Sequence, residues 1–285
     1  MLIDTHAHLY WESYLEDLDQ VIKRSIGNGV TTIINVGVDV ELSKKALRQA
    51  RGKLADIPGF KAYSTIGIHP HEAIKYPTIE SIHKDINELE KLYHTQPDQI
   101  VAVGECGLDF FFENSPKPTS LSINKQKQLQ KDLFQAQIDL AKKLNLPLIV
   151  HCRDDRSQNP INCEAWDEVL KMVGSHPTIL HCYSGLSPIT NKILQSPSLF
   201  VSFAATITYP KNEYLREAAK LLPLEKIVLE TDCPFLPPQE KRGQRNEPST
   251  VKELAQLIAD LKGISLKEVA AQTTQNVTKI FAFPS

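Results

Sequence analysis

The stretch from Lys125 to Cys152 reads KQKQLQKDLFQAQIDLAKKLNLPLIVHC. Leu129, Leu133, Phe134, Ala136, Ile138, Leu140, Ala141 and Leu144 recur at the three- and four-residue spacing of one broad helical face. Leu146-Pro147 then stops the helix, because proline lacks an N–H and restricts the residue before it. Leu-Ile-Val follows, a short apolar run suited to a strand covered on both faces. A helix that feeds a buried strand is the repeating unit of a parallel α/β fold.

The unit recurs along the chain. Strand-like runs are read at Leu2–Leu9, Thr32–Gly37, Ala62–Ile68, Ile100–Gly104, Pro147–Cys152, Thr178–Cys182, Leu199–Ala204 and Lys226–Thr231. Further helical patterns lie between them, at Tyr14–Asn28, Glu41–Arg51, Ile79–Tyr93, Asn162–Val173, Pro188–Leu194 and Asn212–Leu221, with Ser249 as the expected N-cap of a helix running to Leu261. Eight strands, each followed by a helix, predict an α/β fold of one kind, a closed (β/α)8 TIM barrel. The 285 residues suit one such domain, which typically takes about 250. An open doubly wound sheet is the other option, but no GxGxxG follows the first strand. No linker or composition shift divides the chain, so 1–285 is expected to be a single domain with extra C-terminal helices between Ser265 and Phe283. Phe110–Asn124, rich in Ser, Pro and Asn, reads as a long loop after the fourth strand.

Hydrophobic residues make up 41% and charged residues 23%, as in a protein with a full core. No apolar run approaches the ~20 residues that span a bilayer. The opening Met-Leu-Ile-Asp-Thr-His lacks the basic segment and apolar core of a signal peptide, so a cytoplasmic location is expected, with no membrane and no obligate protein partner. With 32 Lys+Arg against 34 Asp+Glu, bulk attraction to nucleic acid is excluded, and any such contact must be local. The five cysteines form no CxxC pair and read as reduced thiols.

The chemistry is read at the strand ends. His6 and His8 fall on one face of the first strand, together with Asp4, because strand side chains alternate. On its own this HxH would equally fit two hydrogen-bonded histidines. Glu105, His151, His181 and Asp232, however, close four further apolar runs. In a barrel, polar residues at C-terminal strand ends converge on the mouth, where active sites sit. Four imidazoles and two carboxylates gathered there are suitable ligands for divalent metal. Buried without partners they would be costly.

The segments DTHAHL (4–9), GIHPHEA (67–73), VGECGLDFF (103–111), PLIVHCRD (147–154), ILHCYSG (179–185) and LETDCPFLPP…RGQRNEP (229–248) resemble the TatD family of metal-dependent deoxyribonucleases, within the amidohydrolase-like barrels. The resemblance runs in order from Leu2 to about Phe281. It implies a binuclear centre in which His6, His8 and Asp232 hold one metal, His151 and His181 the other, and Glu105 bridges both. It further implies hydrolysis of DNA, often from 3′ to 5′, with magnesium or a transition metal. The two ions would be Mg, Mn or Zn; four imidazoles favour the softer choices. The segment between Phe112 and Gln130 is longer than the family's, and Asp155 stands where alanine is common.

Within that frame Asp232 and Glu105 are the expected catalytic residues: Asp232 ligates and accepts the proton of the attacking water, while Glu105 sets the spacing of the ions. His69 is expected to contact substrate, with His71 either beside it or simply at a helix start. Arg153 is expected to hold a phosphate with its planar fork, or else to pair with Asp154 or Asp155. Lys241, Arg242 and Arg245 either track a nucleic-acid backbone or form a solvated charge run. Cys106, Cys152, Cys182 and Cys233 each follow a ligand and should turn away from the metals. Phe110, Phe111 and Phe112 either stack on bases or anchor their loop. The competing enzymatic reading is hydrolysis of an amide, lactone or aminoacyl ester by the same centre, including D-aminoacyl-tRNA deacylation. A catalytically silent scaffold is opposed by the complete ligand set.

Overall fold

Eight parallel strands pair in strict chain order. They are β1 (Leu2–Ala7), β2 (Val30–Asn35), β3 (Lys61–Ile66), β4 (Ile100–Asp109), β5 (Leu148–Arg153), β6 (Thr178–Leu180), β7 (Leu199–Phe203) and β8 (Ile227–Leu229). The structure, a computed structural model, describes residues 1–112, 119–155, 163–281 and 283. The ends of the sheet meet through a parallel bridge between Ala7 and Cys233. Asp232 N–H donates to His6 O (2.9 Å) and His8 N–H to Cys233 O (2.8 Å), so the sheet closes just beyond β8. The closure is itself what sets His6, His8 and Asp232 side by side.

Helices cover the outside: α1 (Leu18–Gly27), α2 (Val40–Arg51), α3 (Ile79–Thr95), α4 (Ile123–Leu144), α5 (Glu164–Val173), α6 (Ser187–Gln195), α7 (Glu213–Leu221) and α8 (Val251–Lys262). The apolar stripe of α4 buries Leu129, Leu133, Phe134, Ile138, Leu140 and Ala141 against the barrel. Asn145 ends that helix in the left-handed conformation before Pro147. Asp39 caps α2 by accepting from Leu42 N–H (2.7 Å). Ser249 is not the cap of α8, because Pro248–Thr250 forms a short 3-10 turn that delays the helix to Val251.

The tail is one helix, α9 (Leu266–Ile280), opened by a capping box between Ser265 and Glu268. Its Val277, Ile280 and the following Phe281 join Ile3, Val101, Ile149, Ile179 and Val228, residues near the strands' N-terminal ends. α9 thereby plugs the barrel opposite the mouth. Among the described residues, no helix is long and apolar enough to cross a membrane.

Two departures from the expected strands bear on the site. β4 continues past Gly104 to Asp109, so Glu105 lies within the strand rather than at its end. Gly107 makes this possible: its φ is +132°, and a Cβ there would collide with the His151 carbonyl. In β1 the pairing slips between Asp4 and Ala7, which interrupts the expected alternation. Asp4 accepts from Thr231 Oγ1 (2.6 Å), Thr231 N–H (3.0 Å) and His6 N–H (3.2 Å), clasping the seam beneath Asp232. Of the expected loop Phe110–Asn124, 113–118 lie outside the described residues; Phe110 is buried in the core and α4 starts at Ile123.

Candidate metal centre

Glu105 is the hub of the mouth. Its carboxylate lies 3.1 Å from His151 Nδ1, 3.4 Å from His6 Nε2, 3.4 Å from His69 Nε2 and 3.6 Å from His181 Nε2. On the seam side, Asp232 Oδ1 is 3.3 Å from His8 Nε2 and 3.7 Å from His6 Nε2. The two histidines' Nε2 atoms are 3.2 Å apart. Burial resists charge on Glu105, yet His69, His181, His151 and His6 hold its carboxyl well below the usual range. Asp232 is likewise held ionised, against burial, by His8, His181 and His6.

What lies behind each ring decides which nitrogen faces the centre. His8 Nδ1 is 2.9 Å from the Val36 carbonyl, an acceptor only, so Nδ1 carries the proton and Nε2 offers a lone pair. His181 Nδ1 lies 2.8 Å from Glu230 Oε1, which leaves its Nε2 turned toward Glu105. His151 has Asp109 Oδ2 3.1 Å from Nε2, so Nδ1 is the atom offered inward. His6 stacks on His181 at 3.6 Å, and its buried Nδ1 has no hydrogen-bond partner among the described residues. Lone pairs and carboxylates pointed at one another repel unless positive charge sits between them, as extra protons or as cations. Carboxylates and carbonyls behind the rings are the usual support of metal-ligating histidines. The donor set therefore fits divalent metal.

The grouping differs in part from the expected ligand sets. His6, His8 and Asp232 form one compact group, whereas His151 groups with Glu105 and His69, and His181 with His6 and Glu230. His151 and His181 face Glu105 from separate sides, their ring centres 6.3 Å apart. His69 is distinct in its proton: its Nδ1 accepts from His71 N–H (3.1 Å), so Nε2 carries hydrogen toward Glu105 and the cleft. Burial lowers His69 to about 4, which keeps it a neutral donor. His71 lies in the first turn of the 3-10 segment Pro70–Lys75, which His69 caps, and its Nε2 is 3.0 Å from Asp109 Oδ2.

Four contributors were not anticipated. Asp109 is buried between His71 and His151; burial opposes its charge, but these two hydrogen bonds hold the carboxyl far below its usual range. Glu230 backs His181 and accepts from Cys182 N–H (2.7 Å). Gln130 and Gln137, on the buried face of α4, bracket the backbones of Asp109 (2.8 Å each) and Ile68 (2.7 and 2.9 Å). They fix the ends of β4 and β3. Asp232 (φ 57°) and Cys182 (φ 41°) both take the left-handed conformation, the kind of local strain that concentrates at working sites.

The cluster floors an open cleft of about 920 Å³. Arg153 reaches it, its guanidinium 4.2 Å over the Phe111 ring, while the Asp154 carboxylate accepts from Ala165 N–H (2.6 Å) at the start of α5. Phe110 and Phe112 pack into or against the core, so of these three rings Phe111 is the one that borders the cleft. Cys106, Cys152 and Cys233 are buried and Cys182 partly buried, and both Cys152 and Cys182 border the cleft. In the basic loop Arg245 pairs with Asp17 (2.7 Å) and Lys241 with Glu253, while Arg242 lies 4.9 Å over Tyr209. Two of its three cations are thus engaged with acids.

Burial alone would lower both His181 and His151. Glu230 and Glu105 instead raise His181 to about 10, and Asp109 and Glu105 raise His151 to about 9. Both lie above the ordinary 6.5, so these imidazoliums stabilise the metal-free fold fully below pH 6.5, a contribution lost as pH rises through 9 to 10. Metal binding runs the other way, since each ring must shed a proton to ligate. Titrating zinc into weakly buffered metal-free protein at neutral pH is expected to release about two protons, and affinity should fall as pH falls. A titration that releases no acid would remove these two rings from the ligand set.

An (β/α)8 barrel with imidazoles and carboxylates gathered at its mouth is the architecture of metal-dependent hydrolases, and the chain is an enzyme of this class. It belongs to the TatD family: the family model described as TatD related DNase matches residues 3–282. YabD of Bacillus subtilis (strain 168), named a metal-dependent hydrolase, is 34% identical over 99% of both chains. An Erwinia tasmaniensis protein named 3'-5' ssDNA/RNA exonuclease TatD is 32% identical, covering 98% of this chain and 99% of its own. Among solved structures, the TatD homolog YJJV of Escherichia coli K12 superposes with a TM-score of 0.80 at 25% identity, over 99% and 98% of the two chains. The fold is also that of a TatD family hydrolase from Entamoeba histolytica, at a TM-score of 0.82 over 99% and 98%.

Proposed function

We propose that the chain, acting as a single catalytic domain over 1–285, hydrolyses phosphodiester bonds in DNA as a 3′→5′ exonuclease with a two-metal centre. The observation that carries the reading is the inward convergence of ring nitrogens on two ionised carboxylates at the floor of a broad cleft. The exonuclease name borne by full-length relatives supports the substrate class. His6, His8 and Asp232 would hold one ion, His151 and His181 the other, with Glu105 between them. When bound, such a pair supplies positive charge against the phosphoryl oxygens and acidifies the attacking water.

The chain's own groups do the rest. Asp232 accepts the proton from the attacking water. His69, a neutral N–H donor at the rim, hydrogen-bonds a substrate oxygen, and Arg153 takes a phosphate of the strand. Five cysteines free of disulfides suit a cytoplasmic setting.

The test is a 5′-labelled single-stranded oligonucleotide incubated with magnesium or manganese. A ladder that shortens stepwise from the 3′ end, and that EDTA stops, is the expected result. Cleavage of aminoacyl esters or dihydropyrimidines with the oligonucleotide left intact would transfer the chain to the amidohydrolase reading.

A further inference from the structure

Two rings at the mouth have no place in the chemistry above. Trp11 and Phe235 are 38% and 46% exposed, and both line the cleft. Each stands three residues beyond a proposed ligand and is tied back to it. Trp11 N–H donates to His8 O (3.3 Å), and Phe235 N–H to Asp232 O (2.9 Å). Two turns that start from the same His8–Asp232 group thus aim two aromatic side chains at one spot. The rings lie 5.8 Å apart at 82°, and Phe235 is 6.1 Å from the His8 ring. Trp11 is backed by Tyr10 at 6.2 Å, whose hydroxyl donates to Val36 O (2.8 Å). The corner is therefore built, not loose.

Left open, this hydrocarbon faces water, and a flat ring seated against it would remove that exposure. The same cleft offers Arg153 and Lys211 to negative charge. A nucleotide carries both a flat ring and an anion, one sugar apart. We propose that Trp11 and Phe235 form a stacking subsite for the nucleobase next to the scissile phosphate, so that a base there is part of what the enzyme recognises. The inference rests on the nuclease reading and adds a specificity-determining pair to it. Stacking reads no sequence, since every base has a π-face.

The experiment compares two single-stranded oligonucleotides, one normal and one whose terminal residues are abasic (tetrahydrofuran). Removing the bases is expected to lower kcat/KM of the wild type about ten- to a hundred-fold. The Trp11→Ala/Phe235→Ala protein should show that loss on the normal oligonucleotide and little further loss on the abasic one, while Trp11→Phe restores most of it. A binding readout stands beside the kinetics. The only other tryptophan, Trp166, is 1% exposed, so the normal oligonucleotide in EDTA should quench Trp11 emission, with no quenching in Trp11→Phe. A wild type that cleaves both oligonucleotides equally well overturns the subsite and leaves the nuclease. A double variant that loses as much on the abasic substrate as on the normal one overturns it too. A wild type that cleaves neither overturns both.

Discussion

Glu105→Gln is expected to lower hydrolysis at least about a thousand-fold and to leave the protein with little bound metal. The substitution is nearly isosteric, so its effect isolates the charge. The carboxylate touches four imidazoles from β1, the turn after β3, β5 and the end of β6, and lies within 3.6 Å of each. No other group in the described mouth reaches all four. A carboxamide there would remove the negative charge shared by any two cations and would point N–H hydrogens at ring lone pairs. The measurement is elemental analysis after loading with manganese or zinc, beside the rate on a single-stranded oligonucleotide. Circular dichroism should be unchanged, because β4 pairs with β5 through backbone on either side of Glu105 and the Glu105 N–H donates to Gly37 O (2.8 Å), none of which the side-chain change touches. A Glu105→Gln protein with full metal content and full activity would remove Glu105 from the centre altogether.

How much of this was legible in the sequence depends on what each residue answers to. The strand and helix count follows from apolar periodicity, a property of the chain alone. The convergence of His6, His8, Glu105, His151, His181 and Asp232 follows from the rule that C-terminal strand ends share a mouth. Asp109 was hidden because the glycines flanking Glu105 break the period-two reading, so β4 appeared to stop at Gly104. Gln130 and Gln137 look like solvent-facing residues of an amphipathic helix. Their burial against the backbones of Asp109 and Ile68 is set by how α4 docks on the barrel. Alternation put Asp4 on one face with His6 and His8, but the pairing slips between Asp4 and Ala7 and the Asp4 carboxylate clasps Thr231 instead. Which nitrogen each ring offers depends on carbonyls and carboxylates remote in sequence. Local pattern cannot encode that.

Asp232→Asn is expected to separate ligation from proton transfer. Both carboxylates line the cleft, but Asp232 has the more open side chain, 15% exposed against 6% for Glu105, so it is the better placed to meet water there. Its backbone is pinned by the hydrogen bond to His6 O and by the Asp4–Thr231 clasp beneath it, so the amide of asparagine would occupy the same place. Asparagine keeps an oxygen that can ligate but cannot take a proton at neutral pH. A loss of about a hundred- to ten-thousand-fold in kcat, with KM little changed and most of the metal retained, is the outcome that assigns Asp232 the proton. Loss of metal together with activity would reduce it to a ligand. Normal metal content with undiminished turnover would move the base elsewhere, and His69, whose Nε2 already carries a hydrogen, is poorly suited to replace it. The contrast with Glu105→Gln is the decisive part: one carboxylate is expected to fail by losing cations, the other by keeping them and failing to accept a proton.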